Sequence, residues 1–203
     1  MMVETETLDV RRSILAIARP IIGAKGFSAV GLTEILAAAK IPKGSFYHYF
    51  NSKETFGVDL LDHYFVEYLA ELDLILAGPG LTMAERLMAY WRNWRASQAS
   101  FDCQGKCLAV KLGAEVADLS EPMRLSLQRG TSSIVDRLTM AIEAGVAEGS
   151  LAVDEAPRTV AESLYYLWLG ASVMTKITRS LHALDTAILT TQRILHLPSS
   201  RLV

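Results

Sequence analysis

The run Lys40-Ile41-Pro42-Lys43-Gly44-Ser45-Phe46-Tyr47-His48-Tyr49-Phe50-Asn51-Ser52-Lys53 decides how the rest of the chain is read. Lys40-Ile41-Pro42 breaks a helix that starts near Thr33, a suitable N-cap, and reaches Ala39. Pro42 pre-sets the start of a second helix, where no backbone donor is needed, and that helix continues through Tyr49. Phe46 and Phe50 are four apart and should face inward, holding the short helix to its neighbours. Burying Tyr47, His48 and Tyr49 as well would require apolar neighbours on every side, so their polar tips should face outward. Two short helices joined by a tight Pro-containing turn, with basic residues opening the second, match a helix-turn-helix.

Such a unit lays its second helix in the major groove of DNA, which is wide enough to admit it and distinguishes all four base pairs. Each residue type then has a role. Lys43 can pair with a phosphate or a guanine edge, and Gly44 lets the backbone approach DNA closely. Ser45 can bond phosphate through its hydroxyl or its amide, while Tyr47, His48 and Tyr49 suit phosphate bonds and contacts with thymine methyls. Thr33 and Lys53, at the starts of the second and fourth helices, can clamp flanking phosphates with help from the helix dipoles.

Outward from this motif, helical periodicity continues and strand alternation does not appear, so the predicted class is all-α. Ile14, Ile17, Ala18, Ile21 and Ile22 share one face of a first helix that should close at Gly26. Pro20 removes a donor inside that helix and predicts a kink. Asn51-Ser52 offers an N-cap to a fourth helix over 52–77, and Gly78-Pro79-Gly80 is the clearest punctuation in the chain. The predicted division is a DNA-binding domain over 1–53, the fourth helix as connector, and a regulatory and dimerisation domain over 79–203. Further helices are expected at about Thr82 to Ala99, Cys107 to Asp118, Pro122 to Gly145, Ala156 to Arg179 and Leu184 to Leu195.

The chain has 203 residues and a net charge of −2, but the charge is uneven. Between Val10 and Lys53 seven basic residues face the single acid Glu34, a net of +6, which leaves −8 elsewhere. A basic segment on an acidic protein is the footprint expected of a DNA-contacting head. The longest uncharged apolar stretch, Ser163 to Thr175, is too short to span a bilayer. The acidic start, with Glu4, Glu6 and Asp9, is not that of a signal peptide, so a cytoplasmic location with no membrane partner is expected. Cys103 and Cys107 lack further ligands nearby in sequence, so no metal site is expected. No cofactor is indicated. A cysteine enzyme would need a base near its thiol, and none of His48, His63, His182 and His196 lies near Cys107 in sequence; no phosphate loop or carboxylate pair appears either.

Gly26-Phe27, Ile35-Leu36 and the stretch Pro42 to Glu54 resemble the DNA-binding head of the tetracycline-repressor (TetR) family. The resemblance implies a homodimer reading a palindromic operator in double-stranded DNA, usually as a repressor released by a ligand. Half-sites would lie about 34–36 Å apart or a multiple of that.

Two later segments, Cys107 to Ser120 and Leu164 to Ala171 with Lys176-Ile177-Thr178-Arg179-Ser180, resemble the subgroup around the N-ethylmaleimide-reductase repressor. That resemblance implies a sensor of reactive electrophiles and oxidants acting through Cys107, with Lys176 approaching the thiol from the penultimate helix. The chemistry is coherent, because a helix N-terminus and adjacent cations such as Lys106 enrich the thiolate that attacks electrophiles. Against it stands the ordinary fate of a lone cysteine, a small inert hydrophobe. Cys103 is either a resolving partner or an idle thiol. The alternative signal is a reversible apolar ligand in a pocket lined by Tyr90, Trp91, Trp94, Phe101, Tyr165 and Trp168. Most of these aromatics, with Tyr166, should otherwise serve core and dimer interface, and the last two helices are the expected four-helix dimer seam.

Overall fold

A computed structural model of the chain describes residues 2–99 and 107–197, with side chains from residue 10 onward. All regular structure among the described residues is helical: α1 Met2–Lys25, α2 Leu32–Ala39, α3 Lys43–Tyr49, α4 Lys53–Leu76, α5 Met83–Ser97, α6 Leu108–Leu119, α7 Glu121–Ala147, α8 Pro157–Thr178 and α9 His182–Ile194. None of these helices is long and apolar enough to cross a membrane.

The helix ends follow local chemistry. Gly26 sits at φ +98°, the left-handed conformation that suits glycine, and its N–H returns to the Ile22 carbonyl at 2.8 Å, closing α1. α1 runs through Pro20 as one uninterrupted helix, so Pro20 does not divide it. The N-cap of α2 is Gly31 in extended conformation, not Thr33, which lies inside the first turn. Lys40 then closes α2 from the left-handed region, with Lys40 N–H to Ala37 O at 3.3 Å and Ile41 N–H to Leu36 O at 3.1 Å. Pro42 caps α3, and Ser52 caps α4 by accepting the Thr55 N–H at 3.0 Å. Thr82 and Glu85 form a reciprocal capping box at the start of α5.

Two compact units form, each from two pieces of chain: Met1–Val66 with Asp102–Gly130, and Glu67–Phe101 with Thr131–Val203. The divisions fall inside α4 and α7, whereas the turn at Gly78-Pro79-Gly80 joins α4 to α5 within the second unit. A Gly-Pro-Gly turn ends a helix; which helices then pack together is set by their apolar faces, and α6 packs with α1 in the first unit.

The first unit is built on Ile14, Ala18 and Ile22 of α1, at the four-residue spacing of one helix face, against Val30, Ile35, Phe46, Phe50 and Phe56, all buried. The rings of Phe46, Phe50 and Phe56 stand 5.1–5.4 Å apart in a triangle. This cluster fastens the seven-residue α3, which is too short to be stable alone, to the start of α4. Arg11 pairs with Asp59 and lies over the Phe50 ring at 5.4 Å.

In the second unit, α5, α8 and α9 enclose an aromatic core. Trp91 stacks on Trp168 with centroids 4.7 Å apart and planes 19° apart. Trp94 donates from Nε1 to Ser172 Oγ and Trp168 from Nε1 to Thr191 Oγ1, each at 2.9 Å. These bonds satisfy buried indole donors that would otherwise carry a desolvation cost.

Candidate nucleic-acid interface and sensor residues

The α3 helix separates its residues by face. Phe46 and Phe50 are fully buried, as their spacing predicts, while Lys43, Gly44 and His48 are exposed and Ser45 and Tyr49 half-buried. Tyr47 is 46% exposed with its ring held edge-on to Phe46, 5.7 Å between centroids. His48 and Tyr49 also meet edge-on, at 5.2 Å. The buried face thus leaves the rings of Tyr47 and His48 exposed and that of Tyr49 half-buried. A Cβ built on Gly44 would meet no atom of the protein within 4 Å, so intramolecular packing does not require glycine at that position. Thr33 is exposed on α2.

Lys53 is placed differently from the outward phosphate clamp expected of it. Its Nζ donates to the Phe27 carbonyl at 2.9 Å and lies 4.7 Å from the Phe27 ring centroid. Burial lowers its pKa, and the nearby Glu115 carboxylate partly offsets that. One of the ammonium's three donors is therefore committed to the turn between α1 and α2.

Glu115, on α6, is a residue whose part sequence reasoning did not single out. Its carboxylate accepts the backbone N–H groups of Phe27 at 3.2 Å and Ser28 at 2.6 Å. Burial alone would raise its pKa, but the Ser28 and Phe27 bonds and the Lys111 charge outweigh that and hold it below the ordinary carboxylate value. A Cβ on Gly26 would come within 2.8 Å of Glu115 Oε2, so the turn needs glycine for both its φ and the carboxylate's approach. No local pattern signals this contact, because 87 and 88 residues separate the partners.

Cys107 is the N-cap residue of α6, at φ −135° and ψ 90°, with its carbonyl accepting the Lys111 N–H at 3.1 Å. It is half-buried. This is the helix-terminal position that favours a thiolate. Lys176 lies half-buried in the last turn of α8. The two residues belong to different compact units. Cys103, Lys106 and Phe101 lie outside the described residues.

The five remaining aromatics singled out for a pocket, Tyr90, Trp91, Trp94, Tyr165 and Trp168, are all buried and come together in one cluster. Tyr90 shares a 2.7 Å hydroxyl–hydroxyl bond with Tyr68. Within this cluster Trp91 Nε1 finds no hydrogen-bond partner among the described residues.

Comparison with known proteins accounts for both parts of the chain. Residues 14–56 match the family model described as "Bacterial regulatory proteins, tetR family", and residues 84–191 match "Tetracyclin repressor-like, C-terminal domain". The chain is 38% identical over 192 residues to the HTH-type transcriptional repressor NemR of Escherichia coli (strain K12), covering 94% of this chain and 96% of that protein. It is 33% identical over 153 residues to the transcriptional regulator AcuR of Cereibacter sphaeroides, covering 75% and 70% respectively. The crystal structure of E. coli NemR in its reduced form superposes with a TM-score of 0.87, covering 95% of this chain and 100% of that one at 38% identity. The helix-turn-helix of α2 and α3 is therefore a DNA-binding head, and the chain belongs to the tetR family of bacterial regulatory proteins.

Proposed function

We propose that the chain is a transcriptional repressor that binds a palindromic operator as a homodimer and leaves it when an electrophile or oxidant modifies Cys107. The operator would be read by Lys43, Gly44, Ser45, Tyr47, His48 and Tyr49 of α3. Thr33 and the donors of Lys53 not held by Phe27 would contact flanking phosphates. The homodimer draws support from an exposed apolar stripe on α8, Tyr166, Val173 and Ile177, whose spacing of seven and four residues keeps it on one helix face. With exposed Leu189 of α9 it suits a seam of four helices.

The observation that carries the sensing part is Cys107 at the N-cap of α6, the helix whose Glu115 holds the α1–α2 turn. A thiolate there would add to an electrophile, or be oxidised to a sulfenic acid that condenses with a nearby nitrogen. The similarity to a repressor whose structure is designated a reduced form agrees with a thiol that changes redox state. Lys176 is kept as the amine partner on the strength of the subgroup resemblance. Modification would change charge and shape at the start of α6 and shift the heads between two states.

The test is a fluorescence-anisotropy titration of a promoter duplex at fixed salt, with and without a maleimide, on wild type and Cys107→Ser. Release of the wild type alone supports the thiol switch. Release of both proteins, or of neither, contradicts it.

A second reading has its own observation. Trp91 Nε1 is fully buried without an acceptor, and a reversible, mainly apolar ligand carrying one acceptor would satisfy it. That reading predicts a silent Cys107→Ser and a melting temperature that rises with a saturating ligand.

A further inference from the structure

The turn between α1 and α2 is where both ends of the helix-turn-helix are tied. On the entry side, Phe27 and Ser28 lead through Gly31 into α2, and their N–H groups are held by Glu115 of α6 at 3.2 and 2.6 Å. On the exit side, α3 passes through Phe50, Asn51 and Ser52 into α4, whose first residue Lys53 holds the Phe27 carbonyl at 2.9 Å. Phe27 is thus gripped at its N–H by α6 and at its carbonyl by α4. Its ring is held as well, because a Cβ on Gly57 of α4 would stand 2.8 Å from Phe27 Cε2 and 2.7 Å from Met123 Sδ of α7. At the far end of α6, Ser120 Oγ donates to Glu54 Oε1 at 2.7 Å, a second tie to the start of α4.

Glu115 is half-buried on α6 and bonded to the α1–α2 turn, while the residues assigned to DNA stand on α2, α3 and the start of α4. Its two bonds are of the charge-assisted kind, stronger and shorter than neutral ones. Ser28 is exposed and Phe27 half-buried, so water can replace the carboxylate on these N–H groups at modest cost to the fold. What water cannot replace is the fixed geometry between α6 and the turn.

We propose that Glu115 is the positioning residue by which α6 holds the α1–α2 turn, and with it the helix-turn-helix, in the geometry that binds the operator. The inference rests on the operator-binding reading. It also supplies that reading with a physical route from Cys107, since Cys107 and Glu115 lie on one rigid helix about 12 Å apart along its axis.

The experiment compares full-length wild type, Glu115→Ala and the near-isosteric Glu115→Gln by anisotropy, on an operator duplex and on a scrambled duplex, across a salt series. Operator affinity is expected to fall about tenfold in Glu115→Ala and less in Glu115→Gln, which keeps one acceptor. The salt slope and the scrambled-duplex affinity should stay at wild-type values, because no phosphate contact is removed. Melting curves should show all three proteins fully folded at the titration temperature. Unchanged operator affinity in both variants overturns the inference while leaving the operator reading intact. Equal losses on operator and scrambled duplex, or a loss explained by partial unfolding, also overturn it, since either would make Glu115 a purely structural residue. Wild type that prefers no duplex removes the operator reading and this inference with it.

Discussion

The two units use the same kind of side chain to opposite ends. In the first, α3 divides its aromatics: Phe46 is buried in a ring triangle while Tyr47 and His48 stay exposed and Tyr49 half-buried. In the second, Tyr90, Trp91, Trp94, Tyr165 and Trp168 all turn inward and pack on one another. A short helix cannot bury rings all round, so those left outside are available for a partner. A longer helix between neighbours can bury most of its rings, as α5 and α8 do, with Tyr166 of α8 left outside. The difference teaches that aromatic content alone identifies neither an interface nor a pocket; helix length and the faces left over decide.

This contrast can be broken by substitution. Trp168→Ala removes a fully buried ring stacked on Trp91 and the indole bond to Thr191, so it should cost about 3–5 kcal/mol by urea denaturation. A cost below about 1 kcal/mol would mean the cluster is a loose pocket rather than packed core.

Gly26→Ala comes next. The alanine must adopt φ +98° and its Cβ must displace the Glu115 carboxylate, together about 1–3 kcal/mol of destabilisation. Thermal melting of the two proteins measures it, and an unchanged melting temperature would show that the turn relaxes freely.

A smaller effect is pH-dependent. The pKa of Glu115 is lower in the folded than in the unfolded chain, so its contribution is present above the ordinary carboxylate value. It disappears as the pH falls through the lowered folded value. Wild type should therefore exceed Glu115→Gln in stability at neutral pH, and the gap should narrow in acid. Denaturation curves on both proteins at a series of pH values check the sign; a gap that widens in acid contradicts it.

The smallest stability change belongs to Tyr47→Ala, within about 0.5 kcal/mol, because the ring is largely outside the core. Operator affinity should nevertheless fall. A variant that melts early and binds normally would place Tyr47 in the core instead.

Much of the first unit was legible in the sequence. The four-residue spacing of Phe46 and Phe50 gave their inward face, and Gly26 marked the end of α1; in the second unit Thr82 marked the start of α5. What local patterns could not carry was anything fixed by distant contacts. Thr33 reads as an N-cap, yet Gly31 takes that place because the chain turns into α2 two residues earlier. Lys53 reads as a phosphate clamp, and its added bond to Phe27, far back in the chain, had no local signal. Gly78-Pro79-Gly80 reads as a domain boundary, while the packing of compact units, which local punctuation does not carry, divides the chain inside α4 and α7, since α6 joins α1 in the first. The Glu115 contact had no local signal at all, a carboxylate on one helix meeting two amides in a distant turn.

The most direct test of the account is selection of bound sequences from a pool of random duplexes, run on wild type and on a Lys43→Ala/Tyr47→Ala double variant. The account predicts that wild type enriches an inverted repeat with half-sites about one helical turn, or a multiple of it, apart, and that the variant loses the enrichment while remaining folded. An inverted repeat enriched equally by both proteins, or no enriched sequence with wild type, would contradict it.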